Sequence, residues 1–251
     1  MLRQGATLVC LLYPRCDPAL TVRLAARNIT AIAVENMPRT TVAQVMDVLS
    51  SQSTAAGCRA VIVAAYALTK FFPMLMTPAG TVAPARVLVL GAGVAGLQAI
   101  ATARRLGAVV EAFDVRLAAR EEVESLGARF LVAETAENFE TAEGYARPLA
   151  EEAQRRARAV IQRSLVHADV CITTALVPNQ RAPLLLTAAM VRGMRPGSVI
   201  VDLAAEQGGN LVSKIREDVR EGGEGVRHFI MILLKNPPFI LREPQDERGS
   251  G

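Results

Sequence analysis

Residues 86–96 read Arg-Val-Leu-Val-Leu-Gly-Ala-Gly-Val-Ala-Gly, and they constrain the fold more than any other stretch. An apolar run leads into Gly91, Gly93, Val94 and Gly96, a GxGxxG turn. A helix-like segment over Leu97–Gly107 follows, then a second apolar run ending at Asp114. Each part has a physical task. Gly91 permits a tight strand-to-helix turn. Gly93 lacks a Cβ, so a pyrophosphate can approach the backbone. Gly96 lets helix and strand pack closely. The N–H groups and positive dipole end of the helix then face the phosphates. Asp114 stands about 20 residues further on, where a carboxylate accepts both hydroxyls of a ribose. That acid favours NAD over NADP, because a 2′-phosphate would meet a negative charge. A glycine turn alone is a weak signal; here strand, turn, helix and spaced acid are all present.

The rest of the chain repeats the alternation. Ala6–Leu12 reads as a strand, Asp17-Pro18 as a helix start, and Thr30–Val34 as a second strand. Thr41–Phe72 reads as a long helix with a break near Gly57, ended by Pro73 and Pro78, and Gly80–Pro84 as a connector. After Asp114 come a helix over Ala118–Leu126 and a strand over Ala128–Val132. Glu134–Arg147 is polar and reads as a mobile loop. A helix over Glu151–Val166, a strand over Ala168–Thr174, a helix over Leu186–Met194 and a strand over Ser198–Leu203 complete the series. Phe229–Leu234 can form one more strand, and residues 236–251 read as a disordered tail. Alternating strands and helices predict an α/β fold with a doubly wound parallel sheet.

Composition narrows the function classes. Hydrophobic residues make up 51% and charged residues 21% of 251, enough for a sizeable core. There is no Trp, and aromatic residues are 4%, so a base-stacking surface is not expected. The net charge of +4 comes from interspersed Arg and Glu rather than a basic patch, which argues against nucleic acid. Cys10, Cys16, Cys58 and Cys171 show no paired spacing, and there are two His, so no metal site is expected. Cys10, Cys58 and Cys171 sit in apolar contexts and read as core thiols in a reducing compartment. No apolar run approaches the about 20 residues of a membrane span; Ala60–Met76 is broken by Lys70 and Pro73. Met1–Pro14 lacks the features of a signal peptide.

Three further segments resemble one family. They are Pro38–Gln52 (Pro-Arg-Thr-Thr-Val-Ala-Gln-Val-Met-Asp-Val-Leu-Ser-Ser-Gln), Glu143–Ala146, and the pair Thr173–Pro178 and Pro196–Asn210. With Gly91–Arg116 they resemble the NAD(H)-binding component of proton-translocating NAD(P) transhydrogenases, relatives of the alanine dehydrogenases. The resemblance spans about residues 5–210. It implies two Rossmann-like units with NAD in the cleft between them. Residues 1–72 would be what remains of the N-terminal unit with its connecting helix, and residues 73–235 the NAD-binding unit. It implies that Arg39, Gln44, Asp47 and Ser50 position the nicotinamide. The last three, spaced by three, would share a helix face. Asp114, Val115 and Arg116 would meet the adenosine ribose. Gly144 and Tyr145 would belong to a mobile loop over the nucleotide, unless Tyr145 is an ordinary exposed loop residue. Ala175 and Leu176 would line the cleft or simply pack in the core. Asp202, at a strand end, reads as a cap or turn acid.

The resemblance implies direct hydride transfer from NADH to NADP⁺, with NADP(H) held on a separate component and proton translocation in a membrane-spanning one. It also implies a homodimer, placed peripherally on the cytoplasmic face of the membrane or in the mitochondrial matrix. Both ends of the chain depart from the pattern. The family has a substantial stretch ahead of the point matching Met1, and Leu211–Gly251 do not resemble the family's continuation. Strands lost from a sheet leave unpaired edges and apolar faces. Two alternatives remain open on sequence: an alanine-dehydrogenase-like soluble enzyme, and a non-catalytic NAD-binding remnant.

Overall fold

Asp17 and Pro18 start the first helix by local chemistry alone. The Asp17 carboxylate accepts the Leu20 N–H at 2.9 Å, and Pro18 occupies the first helical position, where no N–H is required. This helix, α1 (Pro18–Ala25), joins β1 (Thr7–Cys10) to a parallel β2 (Thr30–Ala33). The pair keeps much of its apolar surface in solvent, with Val9 61% and Ile32 42% exposed. The computed structural model describes residues 2–14, 17–38, 40–133, 151–177, 181–211 and 228–230.

The long helix differs from its sequence reading in two ways. Residues 41–46 form turns, including a 3₁₀ turn over Gln44–Met46, and α2 runs from Val48 to Ala67. Asp47 is its N-cap. There is no break at Gly57: the glycine lies within α2 because bare backbone is needed there against a second helix. Gly80–Val82, within the stretch read as a connector, instead forms β4, which pairs in a hairpin with β3 (Leu75–Thr77), and Thr77 Oγ1 donates to the Gly80 carbonyl at 3.0 Å.

The main sheet contains β5 (Arg86–Leu90), β6 (Val109–Phe113), β7 (Arg129–Leu131), β8 (Val170–Thr173), β9 (Val199–Asp202) and β10 (His228–Ile230). All pair in parallel, in the order β10-β9-β8-β5-β6-β7. The connecting helices are α3 (Val94–Arg105), α4 (Ala119–Ser125), α5 (Glu151–Leu165) and α6 (Ala188–Arg192). β8 and β9 are buried along their whole length, which is why they read as continuous apolar runs.

Two cores sandwich the sheet. On one face Val87, Val89, Val110, Ala112, Ile172 and Val201 pack with α2, α3 and α4. On the other, Leu88, Leu90, Phe113, Cys171 and Ile200 pack with α5 and α6. In α5, buried Ala153, Ala157, Ile161 and Leu165 recur every four residues and form one stripe. The chain thus winds outward from β5 on one face, crosses back, and winds outward again from β8 on the other. The winding direction reverses between β5 and β8, so a crevice opens outside their carboxyl ends.

At the opposite edge, Asp169 fastens α2 to the sheet. Its carboxylate accepts the Arg86 N–H at 2.8 Å and pairs with Lys70 Nζ at 2.8 Å. Helix α2 therefore runs antiparallel to the strands. Gly57 lies level with Ala95 in the first turn of α3. Residues 48–55, none of them buried, reach past the carboxyl edge of the sheet. Asp47 lies about 15 Å along the helix from Gly57, at 1.5 Å of rise per residue.

Candidate functional site

Gly91 follows β5 with φ +101°, a left-handed conformation that favours glycine, and its N–H donates to the Phe113 carbonyl at 2.8 Å. A Cβ on Gly91 would meet Thr174 Oγ1 at 2.7 Å. A Cβ on Gly96 would overlap the Gly91 carbonyl oxygen, so strand end and helix start touch through bare backbone. Gly93 is different. It is the N-cap of α3, no side chain caps the helix there, and a Cβ would find nothing within 4 Å. Open room thus stands beside uncapped N–H groups at a helix N-terminus, the arrangement that accepts phosphate oxygens. Val94, the first residue of α3, is 38% exposed.

Asp114 closes the adjoining side, at the end of β6. Its Oδ2 accepts the Ala92 N–H at 2.7 Å, and its Oδ1 accepts the Arg116 N–H at 2.9 Å. The Arg116 side chain adds Nε to Oδ1 at 3.0 Å and Nη2 to Oδ2 at 3.1 Å, and Nη2 also reaches the Ala92 carbonyl at 3.2 Å. Val115 packs against the α5–α6 core.

Beyond β8, Thr174 Oγ1 donates to the Gly91 carbonyl at 3.0 Å and braces the glycine turn. Ala175 is held by the Asn210 amide, which accepts the Ala175 N–H at 3.1 Å and donates to the Ala175 carbonyl at 2.9 Å. Asn210 also donates to the Pro183 carbonyl at 2.8 Å, and its own N–H donates to Asp202 Oδ2 at 3.2 Å. Asp202 Oδ1 accepts Thr173 Oγ1 and the Ala204 N–H, each at 2.9 Å. Thr173, Asp202 and Asn210 are fully buried, so Asp202 has the turn role that its position suggests. Ala175 is half-buried against the core and Leu176 is 40% exposed beside it. Burial and the Asp202 charge push the Cys171 thiol far above its ordinary value. Cys171 is a core thiol, whereas Cys10 and Cys58 are only half-buried.

The structure therefore brings the glycine turn, Asp114–Arg116 and Ala175–Leu176 to one crevice. Gln44, Asp47 and Ser50 do not lie on one helix face, because α2 begins only after Asp47. Asp47 Oδ1 accepts the Ser50 N–H at 2.9 Å and Oδ2 accepts Ser50 Oγ at 2.6 Å, while Gln44 is exposed in the preceding 3₁₀ turn. Arg39, Gly144 and Tyr145 lie outside the described residues. Sequence reading gives no role to Thr174 or Asn210. Both stand in the family-like segments, but their partners are remote in sequence.

Comparison with known proteins decides the ancestry. The model of the alanine dehydrogenase/PNT C-terminal domain matches residues 60–229, and that of the N-terminal domain matches residues 1–56. The chain belongs to the alanine dehydrogenase/PNT family. The C-terminal match continues past Asn210, so the resemblance reaches further than the motifs indicate. Among family members, the chain is 54% identical over 212 residues to an NAD(P) transhydrogenase subunit alpha chain of Rhodospirillum rubrum, covering 84% of this chain and 55% of that one. It is 32% identical to alanine dehydrogenase of Mycolicibacterium smegmatis, covering 83% of this chain and 51% of that one. The solved transhydrogenase of Sinorhizobium meliloti superposes with a TM-score of 0.77 at 45% identity, over 92% of this chain and 62% of that one. The chain thus spans about half the length of the curated relatives it matches. Among the described residues no helix is long and apolar enough to cross a membrane.

Proposed function

We propose that this chain is the NAD(H)-binding part of a proton-translocating NAD(P) transhydrogenase. The observation that carries the reading is the uncapped α3 N-terminus with open room at Gly93, set at the β5–β8 switch beside the Asp114 carboxylate. The residues fit a dinucleotide. Gly91, Gly93, Val94 and Gly96 would take the pyrophosphate, and Asp114, Val115 and Arg116 the adenosine ribose. Ala175 and Leu176 would line the floor. Arg39, Gln44, Asp47 and Ser50 would orient the nicotinamide, and Gly144 and Tyr145 would cover the nucleotide. Residues 1–72 and 73–235 would be its two units.

NADH, when bound, supplies a hydride for direct transfer to NADP⁺ on a separate component. Such a transfer asks the protein for no acid or base. The protein's task is to hold two rings in register and exclude water. The NADP(H)-binding and membrane-spanning components would be partners, with this chain peripheral, as a homodimer, at the cytoplasmic face or in the matrix.

NADH binding to the full chain, followed by fluorescence with NADPH as the control, tests the reading. Saturable binding that prefers NADH, is lost in Asp114→Ala with unchanged melting, and leads to hydride transfer when the NADP(H)-binding component is added supports it. Alanine-dependent reduction of NAD would instead support the alanine dehydrogenase reading. NADH binding without transfer to the supplied partner would mark a non-catalytic relative.

A further inference from the structure

A carboxylate offers four acceptor positions, two on each oxygen. In Asp114 all four are taken. Backbone donors fill one on each oxygen: the Arg116 N–H on Oδ1 and the Ala92 N–H on Oδ2. The Arg116 side chain fills the other two, Nε on Oδ1 and Nη2 on Oδ2. The pair is largely sheltered, with the side chains 8% (Asp114) and 19% (Arg116) exposed. The backbone bonds aim the carboxylate whatever the arginine does. The arginine bonds occupy one position per oxygen, and a vicinal diol donating two hydroxyls needs one position on each oxygen.

We infer that Arg116 is an internal competitor that mimics the ribose diol, holding the Asp114 carboxylate until the 2′- and 3′-hydroxyls of NAD(H) displace its guanidinium. This rests on the dinucleotide reading above. A vicinal diol replaces both bonds of the departing fork. A 2′-phosphorylated ribose has lost one of the two donors and carries negative charge to the carboxylate. It cannot complete the exchange, so Arg116 stays in place and its cation offsets part of the repulsion between Asp114 and the phosphate. Selection for NAD(H) then comes from the diol and from the charge of Asp114, while the displacement of Arg116 lowers the affinity for NAD(H) without adding to that selection. A latch closed about ten to one lowers apparent affinity about tenfold.

The test measures dissociation constants of the full chain for NADH, NADPH, ADP-ribose and reduced nicotinamide mononucleotide, in wild type, Arg116→Ala and Arg116→Lys. In Arg116→Ala, NADH and ADP-ribose should bind about tenfold more tightly, since nothing has to be displaced. NADPH should weaken, because no cation offsets Asp114. Reduced nicotinamide mononucleotide, which lacks the adenosine ribose, should not change, and a general structural effect would move it too. Arg116→Lys keeps charge and length without the two-pronged geometry, and should shift NADH in the same direction by less. Should Arg116→Ala melt early, Arg116→Lys carries the test. A wild-type chain that binds NADH, with a variant of unchanged melting binding it equally or more weakly, overturns the inference alone. A wild-type chain that binds no NADH overturns the underlying reading, and this inference with it.

Discussion

Gly57 on α2 presents bare backbone to Ala95 on α3, so close that one methyl group at residue 57 would overlap the Ala95 carbonyl oxygen. The obstacle is backbone, not the end of a flexible side chain. Gly57→Ala should therefore destabilise the chain by about 1–3 kcal/mol through overpacking. Because α2 carries Asp47 and Ser50, the same shift should weaken NADH binding. Urea unfolding checks the first effect and fluorescence titration the second. A Gly57→Ala chain as stable as wild type would show that α2 and α3 slide apart without cost.

Gly93 and Gly96 separate ligand space from packing space. Gly96→Ala drives a methyl group into the Gly91 carbonyl and should lower both stability and dinucleotide affinity. Gly93→Ala adds a methyl group where nothing lies within 4 Å, on an ordinary backbone with φ −78°. Its melting should stay within about 0.5 kcal/mol of wild type, yet its NADH affinity should fall at least about tenfold. Unchanged affinity would mean that the pyrophosphate does not approach there.

Asn210 is fully buried and holds both backbone groups of Ala175 and the Pro183 carbonyl. Asn210→Ala strands these groups and should cost about 2–3 kcal/mol. It should also loosen the Ala175–Leu176 floor. Amide exchange at Ala175 reports this directly: protection equal to wild type would assign Asn210 no local role.

Cys171 sets a pH dependence. In the unfolded chain its thiol ionises near the ordinary value of 9.0, while in the fold burial and Asp202 hold the proton on. The folded pKa is raised, so the contribution is full below pH 9 and lost as pH climbs beyond it. Above pH 9 stability should fall by up to about 1.4 kcal/mol per pH unit. The difference between wild type and Cys171→Ala from about pH 8 to about pH 10.5 isolates it; parallel curves would contradict it. Thiol reagents should label Cys171 only on unfolding.

The elements legible in the sequence are those whose signal is local. β8 and β9, buried on both faces, read as continuous apolar runs, and Asp17-Pro18 carries its own cap. The start of α2 is easily misread because Val42, Val45 and Met46 have helical spacing yet stand exposed, and only the Asp47 cap marks the true beginning. Gly57 resembles a break because its reason, Ala95, lies on another helix. Three-residue strands around Pro78 give the β3–β4 hairpin no periodicity to read. Thr174 and Asn210 are silent in the sequence for the same cause as Gly57: their partners are brought together only by the fold. The glycine turn and Asp114 are legible because one βαβ unit holds them all, but the Arg116 fork on that acid is a side-chain conformation that no spacing encodes.

Helix α2 also acts as a gauge. One end is fastened below the sheet, where Lys70 meets Asp169, and the other carries Asp47 and Ser50 beyond the crevice edge. The number of residues between these points sets both height and azimuth. One residue added between Ser51 and Ala55 would turn Asp47 by about 100° and lift it by about 1.5 Å. Four added residues would nearly restore the direction while raising it about 6 Å. Side-chain substitutions along this stretch should leave the gauge intact, whereas a single-residue indel should turn Asp47 and Ser50 away from where they now stand.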